Sequence, residues 1–133
     1  MKQITIVAPV KAGLVADIST RLGDAGINIE SVDAFEARTW DIVQLTVSDY
    51  DRALQVLRDG GYDAISEDAV VINVKDKPGA LAQVTRRLYD GGVDMRSMRL
   101  LHRQAGEALV AISMDRTDVG MQLISDLLVN RAN

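Results

Sequence analysis

Cysteine is absent from the chain, which excludes a disulfide framework, a thiolate nucleophile and a thiolate metal site. Histidine is nearly absent. His102 stands alone, and a lone histidine with no cysteine nearby reads as a surface residue, not as a ligand or base. Aromatics are scarce, with one Trp, three Tyr and one Phe, and the formal net charge is −4. An acidic chain with so few rings lacks the basic footprint of a nucleic-acid binder. No apolar run reaches membrane-spanning length. The start, MKQITIVAPV, lacks the apolar core and cleavage site of a signal peptide, so the cytoplasm is the expected compartment. What remains is ordinary for a soluble globular protein: 47% hydrophobic and 26% charged residues.

The informative feature is a repeat. KAGLVADISTRLGDAGINIESV, residues 11–32, aligns with KPGALAQVTRRLYDGGVDMRSM, residues 77–98, at a constant offset of 66. Identical pairs include Lys11/Lys77, Gly13/Gly79, Arg21/Arg87, Leu22/Leu88, Gly26/Gly92 and Ser31/Ser97. Two copies of this length predict a tandem pair of small units, 1–68 and 69–133, and not a solenoid. Residues 1–68 carry six basic and twelve acidic residues, net −6, and residues 69–133 carry nine and seven, net +2. That asymmetry suits mutual docking, and it equally suits two solvated surfaces.

Each copy opens on an alternating strand, with Ile4, Ile6 and Ala8 matched by Val70, Ile72 and Val74. A glycine-containing loop follows, then a helix whose inner face is expected to hold Val15, Ile18 and Leu22, or Leu81, Val84 and Leu88. Pro78 is expected in the first helical turn, and Gly79 to let another group approach the backbone. Gly26 and Gly92 stop the helices. An extended segment over 27–37 changes phase between Ile29 and Val32, which predicts a kink. Thr39, Trp40 and Asp41 form the expected turn before a strand carrying Val43, Leu45 and Val47. Asp49 or Asp51 opens a second helix with Ala53, Leu54 and Leu57 inside, and a short fourth strand follows over 62–66.

In the second copy, Val110, Ile112 and Met114 match Val43, Leu45 and Val47 at an offset of 67, and the extra residue is assigned to the hairpin over 104–107. Strand alternation over 95–103 places Arg99 and Arg103 on one face. Its second helix starts at Asp118 with Met121, Ile124 and Leu128 inside. Few residues follow, so this unit is expected to lack most of its fourth strand and to leave an open sheet edge. The order βαββα(β), twice, predicts an α+β fold of two ferredoxin-like units in tandem.

The order βαββαβ, the D-x-P-G-x-L loop of Asp76, Pro78, Gly79 and Leu81, and the Gly-Ile-Asn-Ile and Gly-Val-Asp-Met stretches before strand 2 resemble the ACT domain. Two copies over nearly the whole chain resemble small tandem-ACT proteins. The resemblance implies a non-catalytic regulatory protein that binds a small ligand, usually an amino acid, between paired units. It implies a pocket from the loop before helix 1 and the start of strand 2 of the partnering unit. Carried onto this chain, the positions are Asp76, Pro78, Gly79, Ala80 and Leu81 in the second unit, Gly13, Leu14 and Val15 in the first, and Asn28 and Asp94 on the strands. The first loop departs from the motif, with Val10 and Ala12 at the places of Asp76 and Pro78. The favoured site therefore combines the second loop with Asn28.

The chemistry agrees with that reading on its own terms. Amides at 79–81 suit a carboxylate, an ionised Asp76 accepts from an ammonium, and Asn28 both donates and accepts. The bland alternatives are a turn that needs Gly79 and a helix capped by Asp76. Asp33, Glu36 and Asp41 match no cation-loop spacing, so no metal is expected, and no cofactor either. No nucleophile–base pair supports an enzyme. Two functions stay open: an amino-acid-binding sensor, or a regulatory subunit that docks a partner enzyme and binds no small molecule. A homodimer is expected, because units this small bury little surface alone.

Overall fold

The computed structural model describes residues 2–129. Contacts divide the chain into two units, Met1–Glu67 and Asp68–Asn133. The first contains β1 (Ile4–Pro9), α1 (Leu14–Asp24), β2 (Ile29–Ala37), β3 (Trp40–Val47), α2 (Tyr50–Asp59) and β4 (Asp63–Ile65). The second contains β5 (Ala69–Lys75), α3 (Ala80–Asp90), β6 (Met95–Gln104), β7 (Glu107–Met114), α4 (Thr117–Leu123) and a 3₁₀ turn (Ser125–Leu127). The first sheet runs β2-β3-β1-β4 and the second β5-β7-β6, with antiparallel neighbours. This is the ferredoxin-like order the sequence predicts, complete in the first unit and without a full fourth strand in the second.

In the first unit Ile4, Ile6, Ala8, Val43, Leu45 and Val47 form the sheet floor on which α1 and α2 pack. Alternation along β1 and β3 sends these residues to one face, so their side chains leave water together. Asp49 caps α2 by accepting from the Arg52 amide at 3.3 Å, and Ala53, Leu54 and Leu57 are buried beneath it, as expected. The second core repeats the plan with Val70, Ile72, Val74, Val110, Ile112 and Met114.

The inner helix faces differ from the expectation by one position. Leu14, Ile18 and Leu22 are buried in α1, and Ala80, Val84 and Leu88 in α3. Val15 and Leu81 stay exposed at 38% and 39%. Both patterns fall within one helical face, and it is the first residue of each helix, not the second, that the structure turns into the core. Pro78 lies before the cap: Gly79 is the N-cap and the helix begins at Ala80, so Pro78 is outside the first turn. Trp40 is not in a turn. The turn is two residues, Arg38 and Thr39, and Trp40 starts β3 with no exposure, opposite Pro9 and Ala37.

The predicted kink is a bulge between Ile29 and Ser31, and the same bulge recurs between Met95 and Ser97. The extra residue of the second unit is not in its hairpin. Both hairpins have two-residue turns, 38–39 and 105–106, and the added residue is absorbed by a second bulge between Leu100 and His102. That bulge breaks the alternation. Arg103 pairs with Ala108 on the helix-bearing face, whereas Arg99 pairs with Ala111 on the other, so the two arginines do not share a face.

Helix α4 ends at Leu123, shorter than expected, with Met121 half-buried. Ile124 is buried beyond it, and Leu128 bridges Ile72 while the Val129 amide donates to Val71 at 2.9 Å. Among the described residues the fourth strand of this unit is thus reduced to one bridge beside β5, which partly covers the edge expected to be open. Residues 130–133, to which that expectation also applied, lie outside the described residues.

Candidate functional site

Each unit has a cleft between the loop before its first helix and the facing strand hairpin. In the first unit the loop is closed by the Val10 amide donating to Thr39 at 3.2 Å, and in the second by Asp76 donating to Gly106 at 2.9 Å. Gly13 and Gly79 cap the helices in the left-handed region, at φ 81° and 86°. No described atom lies within 4 Å of where a Cβ would stand at either glycine. Glycine is therefore needed for its φ, and the space over the loop is open. Neither cap has a side-chain hydrogen bond, so Asp76 does not cap α3.

The first cleft has a volume of about 310 Å³. Leu14, Val15, Ala34 and Val43 supply apolar walls, and Lys11, Glu36 and Asp41 supply charge. Glu36 and Asp41 are register partners at the end of the β2–β3 ladder, which brings both carboxylates to the cleft. The Asp41 carboxylate accepts from the Lys11 amide at 3.0 Å. The Lys11 ammonium lies over the Tyr62 ring, 5.8 Å from its centroid. Tyr62 in turn donates to Asp17, whose carboxylate also pairs with Arg21 Nε at 3.0 Å. The tyrosine hydroxyl first, and then Arg21, hold the Asp17 carboxyl below its ordinary range, while burial and then Asp17 push the Tyr62 hydroxyl up.

The second cleft, about 200 Å³, is lined by Val74, Leu81, Leu100 and Ala108 with Lys75, Asp76, Lys77 and Arg103. Asp76 Oδ1 is 3.3 Å from Arg103 Nε, and Lys75 is 3.6 Å from Glu107. Asp76 thus already has a cationic partner within its own unit.

Of the residues the sequence singled out, Gly13, Leu14 and Val15 come together in the first cleft, and Asp76, Gly79, Ala80 and Leu81 in the second. Pro78 is exposed outside the lining. Asn28 and Asp94 are at the far ends of their strands from their own unit's loop. The Asn28 amide donates to Ser48 Oγ at 3.0 Å, and the Asp94 amide to Asp115 Oδ1 at 2.9 Å. Sequence reasoning missed Lys11, Glu36 and Asp41 as one group and missed Arg103 as the partner of Asp76. Glu36 and Asp41, five apart across a two-residue turn, were the available signal. Arg103 had none, because the bulge before it is invisible to alternation. Among the described residues no group of three His, Asp or Glu side chains is placed to hold a metal ion, and no helix is long and apolar enough to cross a membrane.

No family model and no curated protein matches the chain. Solved structures similar to it include a protein from Bacteroides thetaiotaomicron, at 25% identity and TM-score 0.48, covering 97% of this chain and 92% of that one. Another is the ligand-free regulatory subunit of aspartate kinase from Thermus thermophilus, at 16% and 0.45, covering 94% and 91%. A third is the small subunit of acetolactate synthase from Thermotoga maritima, at 10% and 0.41, covering 96% and 88%. By strand order and helix placement the first unit has the ferredoxin-like course, and the second repeats it with its fourth strand reduced to one bridge.

Proposed function

We propose that this protein is a non-catalytic regulatory protein that binds an amino acid in the clefts beside Gly13 and Gly79. The observation that carries the reading is the recurrence of a cleft with apolar walls and a charged rim at the same loop of both repeats. A free amino acid presents an ammonium and a carboxylate a few ångströms apart, with a side chain behind them. In the first cleft Asp41 meets the ammonium, amides after Gly13 meet the carboxylate, and Leu14, Val15 and Ala34 line the side chain up to the rim. In the second, amides at 79–81 meet the carboxylate, and Asp76 turns from Arg103 to the ammonium. Asn28 and Asp94 lie at neither cleft of their own unit, so their role as ligand contacts is carried by the sequence resemblance alone.

A thermal-shift screen against the common amino acids tests the reading. A ligand that binds only the folded chain raises the melting temperature in a dose-dependent way. Gly13→Asp and Gly79→Asp, each folded, should abolish the shift from their own cleft, and Asn28→Ala should weaken binding if Asn28 contacts the ligand. A second reading, a subunit that docks an enzyme, is favoured by the exposed Val10, Val15, Val32, Leu81 and Leu100. All but Val10 lie on the first helices or on β2 and β6, the strands that end their sheets. Self-association through these edges makes the protein a homodimer, which light scattering after gel filtration measures directly.

A further inference from the structure

The two clefts are equivalent in place and opposite in charge. Strand register matches Glu36 of the first with Arg103 of the second, and Asp41 with Ala108. The first lining thus holds two carboxylates and one lysine, and that lysine lies over the Tyr62 ring. The second holds Lys75, Lys77 and Arg103 against Asp76 alone. Asp41 is engaged by the Lys11 amide and Asp76 by Arg103. Among the described residues Glu36 and Lys77 have no ion-pair partner, so each cleft keeps one unneutralised charge at its rim, negative in the first and positive in the second.

We propose that the first cleft selects an amino acid with a cationic side chain and the second one with an anionic side chain, with Glu36 setting the preference in the first and Arg103, released when Asp76 turns to the ligand's ammonium and backed by the unpaired Lys77, in the second. The inference rests on the reading that the clefts bind amino acids. The main-chain groups of every amino acid are the same, so the loop amides provide common affinity. Discrimination then falls to the rim charge that meets the side-chain terminus. That rim is half-open to water, so reversing one of its charges is expected to change the relative affinity for oppositely charged ligands about tenfold.

The test is a titration of the ¹⁵N-labelled full chain with L-arginine and with L-glutamate, for wild type, Glu36→Arg and Arg103→Glu. Amides of Val15, Ala16 and Ala34 report the first cleft, and those of Leu81, Ala82 and Leu100 the second. Arginine is expected to bind the first cleft more tightly and glutamate the second. Each reversal should invert the order in its own cleft and leave the other unchanged. Glu36→Gln, isosteric, and Arg103→Gln, shorter but uncharged, should fall between and separate charge from loss of fold. The same ligand order in both clefts, or an order unmoved by the reversals, overturns the inference. Tighter binding of L-leucine than of either charged ligand, insensitive to the reversals, overturns it while leaving the amino-acid reading intact. Absence of any amino-acid binding at either cleft overturns both.

Discussion

Arg103 reaches Asp76 across the mouth of the second cleft, Nε to Oδ1 3.3 Å, while Arg99, four residues earlier, is on the opposite face of the sheet. The bulge at Leu101 reconciles the two. The hairpin fixes Arg103 opposite Ala108, and the bulge absorbs the added residue upstream. Deleting Leu101 is therefore expected to regularise β6 and to leave Arg103 opposite Ala108. The stability lost should be about 1–2 kcal/mol, the burial of a half-exposed leucine. Urea denaturation gives the magnitude, and cross-strand NOEs between Arg103 and Ala108 give the register. A shifted hairpin register would contradict this account of the strand.

Glycine at 13 and 79 is required by backbone angle and not by crowding, since no described atom approaches within 4 Å of either Cβ position. Replacement by alanine should cost about 1–2 kcal/mol at each site, the ordinary penalty of a left-handed non-glycine residue. Asparagine should cost less, because it tolerates that region. Equal losses for alanine and asparagine in denaturation would show that space, and not φ, is limiting.

Trp40, the sole tryptophan, is fully buried at the start of β3. Native emission should be blue-shifted and should move red on unfolding. Trp40→Ala should cost about 3–5 kcal/mol by large-to-small replacement in a packed site. Native emission at the wavelength of exposed indole would contradict the placement.

Acid and alkaline limits follow from the ion-paired groups. The Asp17 carboxyl is held down by the Tyr62 hydroxyl and Arg21, and Asp126 by Arg87, 2.7 Å from Nη1 to Oδ1. A depressed carboxyl stabilises the fold above its unfolded value near 3.8, and the stabilisation is lost as pH falls through the lower folded value. Tyr62 is shifted the other way, so its contribution is present below pH 10.0 and is lost as pH rises through its higher folded value. Asp17→Asn should flatten the acid limb of a stability–pH curve, and Tyr62→Phe the alkaline limb. An unchanged alkaline limb in Tyr62→Phe would show that the hydroxyl contributes nothing.

Much of the fold was legible because the chain says it twice. Alternation at Ile4, Ile6 and Ala8, the caps at Asp49 and Gly26, and the phase change after Ile29 are local signals, and the structure realises each as a strand, a cap or a bulge. What sequence could not show were register effects. Trp40 reads as part of a turn until the two-residue hairpin is known, and Val15 reads as core until Leu14 takes the inner stripe. The site was legible at its loops, where glycine and helix start coincide. The facing charges were not, because Glu36, Asp41 and Arg103 join the loops only through hairpin register, a non-local property.

The central claim is that the clefts bind amino acids, and ¹⁵N–¹H titration of the folded chain with each common amino acid tests it most directly. The account predicts saturable shifts confined to residues 13–16 and 34–36, to 79–82 and 100–103, or to both sets. Shifts that saturate elsewhere, or none at millimolar ligand, would contradict it.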